Sequence, residues 1–177
     1  YRRMNNWHNE TGFSRSKKQP ATHNEPFLWF SNNPKKWTYN VDDVRMPYKS
    51  TERLKSPVKY KAADGTTKIW QPNPKGAMRG DVWDFPTLAG KRFEKEKTQH
   101  PTQKPESLIM ELIKAFCPKD GEGHYNGTIL DPFHGSGTLG VCCEKLNAEG
   151  HHIKWLGIEL EQQWCDIAEQ RIADIEK

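Results

Sequence analysis

The sequence predicts an α/β fold in which short apolar strands run directly into helices, and three observations carry that expectation. The apolar run Thr128-Ile129-Leu130 is followed by Asp131-Pro132-Phe133-His134-Gly135-Ser136-Gly137-Thr138, a glycine-bearing turn that opens a helix. About twenty residues beyond Thr138, a second apolar run, Trp155-Leu156-Gly157-Ile158, ends in an acid, Glu159. The chain is polar, with 34% apolar residues and a mean hydropathy of -0.96. Its 19 aromatic residues, seven of them Trp, nonetheless supply enough burial surface to exclude compositional disorder.

The elements follow in order. Residues 26–30 read as a strand, and residues 81–83 as a further short one, on their apolar and aromatic content. Residues 32–97, rich in Pro, Lys and Asn, hold no sustained period and read as loops with short strands. Pro105 suits a first helical position, and Leu108, Ile109, Leu112, Ile113 and Phe116 form one apolar face before Cys117-Pro118 stops that helix. Residues 118–127 form a glycine-rich loop into the strand at 128–130. A short helix is expected over 139–146 and another over 162–175, where Trp164, Ile167, Ala168, Arg171 and Ile175 share a side. Trp164 is read chiefly as core. These strands are fewer than an open, doubly wound sheet normally has, so the fold is expected to be incomplete in this chain.

The turn at 131–138 has the chemistry of a ligand site. Glycines let the backbone approach a ligand closely, and the first N–H groups of the next helix donate to a carboxylate or phosphate. Glu159, at a strand tip, is placed to accept hydrogen bonds from a ribose diol. Gly135-x-Gly137-x-x-Gly140 followed by Glu159 also satisfies the dinucleotide fingerprint. Asp131, however, would put negative charge beside a pyrophosphate, whereas it would welcome an ammonium group. A ribose, an ammonium and a carboxylate together describe S-adenosylmethionine better than NAD or FAD.

Residues 131–138 resemble motif I of the amino-methylating DNA methyltransferases, and Gly157-Ile158-Glu159 with Trp164, Ala168 and Arg171 is similar to the strand and helix of motif II. Upstream, His100-Pro101-Thr102-Gln103-Lys104-Pro105 resembles motif X, and Asp81-Val82-Trp83 before it also fits. Motif X ahead of motif I is the order of that family's β group. Asn24-Glu25-Pro26-Phe27-Leu28-Trp29-Phe30-Ser31 more faintly resembles motif VIII. The resemblance implies a Rossmann-like, S-adenosylmethionine-dependent methyltransferase fold with a loop-rich DNA-recognition region. It divides the chain into residues 1–31, part of the catalytic α/β domain, residues 32–80, the target-recognition region, and residues 81–177, the cofactor-binding part. It implies cofactor contacts from Thr102, Lys104, Asp131, Phe133, Gly135, Gly137, Thr138 and Glu159.

The family transfers its methyl group with motif IV, a polar residue followed by Pro-Pro and an aromatic. No such tetrapeptide occurs among the 177 residues. Met46-Pro47-Tyr48 is the nearest passage, with one proline, an apolar leader and the wrong place in the order. Catalytic residues are therefore unknown. In the β group motif IV precedes motif VIII, so its expected position is upstream of Tyr1, as in a C-terminal portion of a longer enzyme. A second polypeptide or a missing N-terminal half would then supply it.

Charge divides the chain more sharply than its net +4 suggests. Residues 1–98 carry 20 Lys and Arg against 10 acids, whereas residues 99–177 carry 7 against 13. The basic half is expected to face double-stranded DNA, with Lys49, Arg53, Lys55, Lys59 and Lys61 on phosphates and Tyr48, Tyr60 and Trp70 offering stacking surfaces. Cys117, Cys142, Cys143 and Cys165 form no C-x-x-C pair, and His151-His152 lies in a polar turn, so no metal is expected. No apolar run approaches the length of a membrane span, and no secretory signal opens the chain, which argues for a cytoplasmic protein without membrane contact.

The reading is thus a site-specific DNA methyltransferase acting on the exocyclic N6 of adenine, of the kind found in restriction-modification. N4 of cytosine and a non-catalytic DNA-binding relic remain as alternatives. A dinucleotide-dependent oxidoreductase is a weaker one.

Overall fold

The computed structural model describes residues 1–13, 17–55 and 57–175, excluding the side chains of residues 10–13 and of Arg53. In chain order the elements are β1 (Arg3–Phe13), β2 (Thr22–Trp29), α1 (Glu52–Lys55), β3 (Val58–Lys61), β4 (Thr67–Trp70), β5 (Val82–Asp84), a 3-10 turn (Lys91–Phe93), α2 (Glu106–Phe116), β6 (Thr128–Asp131), α3 (Thr138–Ala148), β7 (Lys154–Gly157) and α4 (Gln162–Ala173). They form two compact units, one made of Tyr1–Asn40 with Asp81–Lys177 and the other of Val41–Gly80. Residues 32–40, assigned from sequence to the recognition region, thus pack with the first unit.

In the first unit β1 pairs antiparallel with β2 on one side and parallel with β5 on the other. β1 is the long strand that the sequence pattern did not reveal. Among its described side chains, the buried ones are Asn5, Trp7 and Asn9. The alternation is therefore present, but two of these three described inward residues are polar and cancel the apolar signal. Trp83 of β5 is buried, and its ring stacks 6.4 Å from Phe116 of α2. Trp29 lies 5.0 Å from the same ring and Tyr39 lies 5.8 Å from it, so one end of α2 is clamped by aromatics from β2 and the segment after it. Asn40 completes this junction. Its amide donates to the carbonyls of Lys114 and Cys117 at 2.8 and 2.7 Å, which gives the last turn of α2 acceptors' partners it would otherwise lack.

Pro105 stands one residue outside α2, with extended backbone at φ -68° and ψ 138°, rather than at its first helical position. The apolar face read from the sequence then divides. Leu108 and Ile113 are buried, whereas Ile109, Leu112 and Phe116 are half-buried. Ile113 joins Cys117, Tyr125, Leu139, Cys142, Cys143, Leu146 and Ile153 in the core between α2, α3 and the start of β7. Cys117, Cys142 and Cys143 are small buried side chains here, whereas Cys165 is half-buried, and burial pushes the Cys143 thiol up to about 12.

β6 and β7 pair in parallel, Asp131 opposite Gly157. β6 has no other strand neighbour, and β2 has only β1, so among the described residues each keeps an open edge. A cavity of about 510 Å³ is lined by Phe27 and Leu28 of β2, Ile109 and Leu112 of α2, and Ile129 and Leu130 of β6. Leu28 and Leu130 are 56% and 57% exposed, more than strand residues of a closed sheet would be.

The second unit holds α1 and the β3–β4 hairpin. Tyr48 and Trp70 meet edge to face at 6.1 Å, and the Tyr48 hydroxyl accepts the Asn73 N–H at 2.8 Å. Met46 forms an isolated bridge with Ala77. Met46-Pro47-Tyr48 is therefore a structural passage of this unit. Among the described residues no helix is long and apolar enough to cross a membrane, and no group of three His, Cys, Asp or Glu is placed to hold a metal.

Candidate functional site

The site is assembled where β6 and β7 end. Beyond the strands, Ile158 donates to the Asp131 carbonyl and His134 to the Ile158 carbonyl, both at 2.9 Å, so the turn after β6 is stitched to the exit of β7. Gly135 and Gly137 take positive φ, 53° and 80°, a conformation that strains any residue with a Cβ. Gly137 also lies against α4, where an added Cβ would stand 2.6 Å from the Cβ of Ala168. The glycines expected from sequence to permit close approach thus first permit the packing of the turn itself.

Glu159 is fully engaged by backbone. One oxygen accepts the N–H groups of Leu160 at 2.8 Å and Glu161 at 3.0 Å, and the other accepts the Gly135 N–H at 2.8 Å. These hydrogen bonds, that from Glu161 foremost, hold its carboxyl below the ordinary value of 4.5 although partial desolvation opposes them. It remains an anion at the mouth of the turn, with one oxygen serving two amides and the other only one.

Asp131 is the second fixed anion. Its carboxylate accepts the Phe133 N–H at 3.1 Å and lies 3.6 Å from Nδ1 of His134. The neighbouring imidazole, followed by the Phe133 amide, keeps the Asp131 carboxyl below its ordinary range against the cost of partial burial. Phe133 is 88% exposed, a ring standing free over the surface.

The loop that resembles motif X meets this turn through His100. The ring lies against Gly135, where a Cβ would come within 2.9 Å of Nε2, and packs edge-on to Trp164 of α4 with centroids 4.6 Å apart. Thr102 is exposed next to it and donates its backbone N–H to the His100 ring at 3.3 Å. Lys104 takes another direction. Its ammonium pairs with Glu25 of β2 at 2.9 Å and stands 5.2 Å from the centre of the Trp7 ring. Thr138 points inward and is buried, with its hydroxyl 3.4 Å from Arg171. Asp131, Phe133, Gly135, Gly137, Thr102 and Glu159 therefore gather around one turn, whereas Lys104 braces the loop against β2 and Thr138 faces the packing.

Two side chains beyond those expected from the sequence organise the site. Arg171 of α4 donates to the Ser136 carbonyl at 2.6 Å and to Glu106 of α2 at 2.9 Å, which locks the turn between two helices. Arg171 already stands out in the sequence as part of one side of α4, but its partners are set by tertiary packing. His134 is the other, and its ring is buried beneath the turn.

The basic segment lies in the second unit. Strand alternation sets Lys59 and Lys61 on one face of β3, and every residue of that strand is exposed. Lys49 is exposed, while Lys55 pairs with Glu52 at 2.8 Å. The side chain of Arg53 lies outside the described residues.

A strand, a glycine turn tied to an acid, and a helix follow one another in an α/β arrangement. Residues 1–170 match the family model described as DNA methylase, that of the N6/N4 methyltransferases, and the chain belongs to this family. It is 36% identical over 159 residues to the type II methyltransferase M.ScaI of Streptomyces caespitosus, covering 89% of this chain and 45% of that protein. It is 36% identical over 165 residues to M1.MboII of Moraxella bovis, covering 92% of this chain and 58% of the relative. A crystal structure of M1.HpyAVI with SAM shares the fold, with a TM-score of 0.52 and 21% identity over 97% of this chain and 61% of that one. The chain spans about half the length of the curated relatives it matches.

Proposed function

We propose that this chain is the cofactor-binding and DNA-recognition part of a DNA methyltransferase that uses S-adenosylmethionine to methylate the exocyclic N6 of adenine. The observation that carries the reading is the pair of fixed carboxylates at one glycine turn, Asp131 and Glu159, both held ionised by hydrogen bonds. Asp131 suits the ammonium of a methionine moiety, and Glu159 suits a ribose diol, its less occupied oxygen accepting from a hydroxyl once the Gly135 amide yields. Thr102 and the exposed Phe133 flank that volume. S-adenosylmethionine would supply there an electrophilic methyl group on a sulfonium for the amino nitrogen of an extruded base. Adenine is chosen over cytosine by the frequency of the two chemistries in the family alone, and N4 transfer is the second reading.

Transfer itself requires a polar acceptor for the amino group and an aromatic platform for the base, and no motif IV tetrapeptide occurs within these 177 residues. The open edges of β2 and β6, with the apolar cavity between them, suit extended apolar strands from a polypeptide corresponding to the part of the relatives that this chain does not match. Double-stranded DNA is the expected partner of the second unit, through Lys49, Lys55, Lys59 and Lys61.

Calorimetry with S-adenosylmethionine and NAD, combined with transfer of radiolabelled methyl groups to mixed-sequence DNA, tests the reading. Binding of S-adenosylmethionine but not NAD, with turnover appearing only when the unmatched part of M1.MboII is added as a separate polypeptide, is the expected result. Tight binding of NAD alone would overturn it. Robust turnover by residues 1–177 alone would overturn the need for a second polypeptide.

A further inference from the structure

His134 carries two ring nitrogens that neither the ligand site nor the core accounts for. Its side chain is only 7% exposed, yet neither ring nitrogen has a hydrogen-bond partner. A buried imidazole normally satisfies at least one nitrogen, and leaving both unpaired is costly. The ring is also held tightly. It stacks on Trp155 of β7 with centroids 5.4 Å apart and planes 16° from parallel, and Gly157 leaves room for it, since a Cβ there would strike the ring. Its backbone N–H is bound to Ile158, so ring and turn move as one piece.

The charged groups around the turn narrow the choice of partner. Glu159, beyond β7, is engaged by three backbone amides. Glu144 of α3 accepts the Trp155 indole N–H at 2.6 Å. Arg171 of α4 is committed to Glu106 and Ser136. His100, from the loop before α2, lies over Gly135. The acceptor that remains within reach is Asp131, 3.6 Å from Nδ1, slightly beyond a hydrogen bond and a small ring rotation from forming one.

We propose that His134 is a positioning residue for Asp131, whose protonated ring donates from Nδ1 to the carboxylate and whose neutral ring, as the Nε2–H tautomer, leaves it to a cationic ligand. This rests on the reading of Asp131 as the acceptor for an ammonium group. The imidazolium and the ligand's ammonium then compete for one carboxylate, so ligand binding expels a proton from the ring to solvent. Imidazoles change charge between pH 5 and 8, whereas an α-ammonium stays protonated up to about pH 7. Affinity for S-adenosylmethionine therefore rises between pH 5.5 and pH 7.0.

Calorimetry at those two pH values in wild type and in His134→Phe, which keeps an aromatic ring on Trp155 but no nitrogen, tests this. The wild type should bind roughly three- to ten-fold more tightly at pH 7.0, the scale of one charge-assisted hydrogen bond, and the variant should bind equally at both. The same pH dependence in folded His134→Phe would overturn the proposal. A second measurement stands apart from the ligand and from the folding of that variant: titration of the His134 ring by NMR in wild type and in Asp131→Asn. A lower midpoint in Asp131→Asn is expected, and an unchanged midpoint would overturn the proposal. Absence of S-adenosylmethionine binding at both pH values would instead refute the cofactor reading, with the ring titration still deciding the role of His134.

Discussion

Glu159 reaches back from the end of β7 to accept the backbone N–H of Gly135 at 2.8 Å, across a sequence separation of 24 residues. The contact joins the turn after β6 to the start of α4, because the other oxygen of the same carboxylate receives the amides of Leu160 and Glu161. One side chain thus sets the distance between the passages that resemble motifs I and II.

Removing it has two consequences. Glu159→Ala should weaken S-adenosylmethionine binding roughly ten-fold or more, since charge-assisted hydrogen bonds are lost, and calorimetry on the folded variant measures this. Unchanged affinity would remove Glu159 from the ligand site. Glu159→Gln keeps the acceptor oxygen but not the charge, so it should lie between the two.

The same carboxylate predicts an acid dependence of stability. Its folded-state value is depressed below the ordinary 4.5, so the unfolded chain takes up the proton first as pH falls. Its contribution is present above about pH 4.5 and is lost as pH drops from there through the folded value. Urea unfolding of wild type and Glu159→Gln between pH 3 and pH 6 should give curves that converge toward the acid end. Parallel curves over the whole interval would contradict the assignment.

Gly137→Ala should destabilise the fold by about 2 kcal/mol or more. Left-handed backbone costs a residue with a Cβ about 1–2 kcal/mol, and the new methyl would meet Ala168 at 2.6 Å. Adding Ala168→Gly should recover only part of the steric cost, since the Cα of residue 168 still stands 2.9 Å from the new methyl, and it leaves the cost of φ 80°. Full recovery in the double mutant would show that backbone strain contributes nothing.

Arg171→Met should cost about 1–3 kcal/mol, less than a fully isolated buried pair would, because Lys145 also pairs with Glu106 and shares its charge. The guanidinium spans two acceptors on different elements, so Arg171→Lys should restore only part of that. Equal stability of the Lys variant and wild type in urea would mean that one of the two contacts is idle.

For the second unit, replacing Lys49, Lys59 and Lys61 with Gln should flatten the dependence of DNA affinity on salt by about 0.9 in log-log slope per lost phosphate contact. Lys59 and Lys61 share a strand face, and their exposure leaves them available. Identical slopes for the two proteins, read by fluorescence anisotropy over a salt series, would make this a solvated surface.

Legibility in the sequence followed locality. The strand at 128–130, the glycine turn, the helices on either side and the acid at 159 were all readable, because hydrophobic period, glycine conformation and strand-to-helix order are set by residues near one another. Unit boundaries and β1 were not. β1 buries Asn5 and Asn9 beside Trp7, and only its place between β2 and β5 makes that polar face an inner one.

The sequence by itself determined that Asp131, two glycines and Glu159 stand at strand ends, and that positive charge collects in residues 1–98. Tertiary structure decided what each side chain touches. Lys104 and Thr138 share a neighbourhood with the turn, yet one is drawn to Glu25, 79 residues away, and the other is turned under Arg171. His134, unremarkable in the sequence, is enclosed with Asp131 as its nearest carboxylate. The physical reason is that charge pairing and desolvation depend on distances between elements distant in the chain, which no local period records.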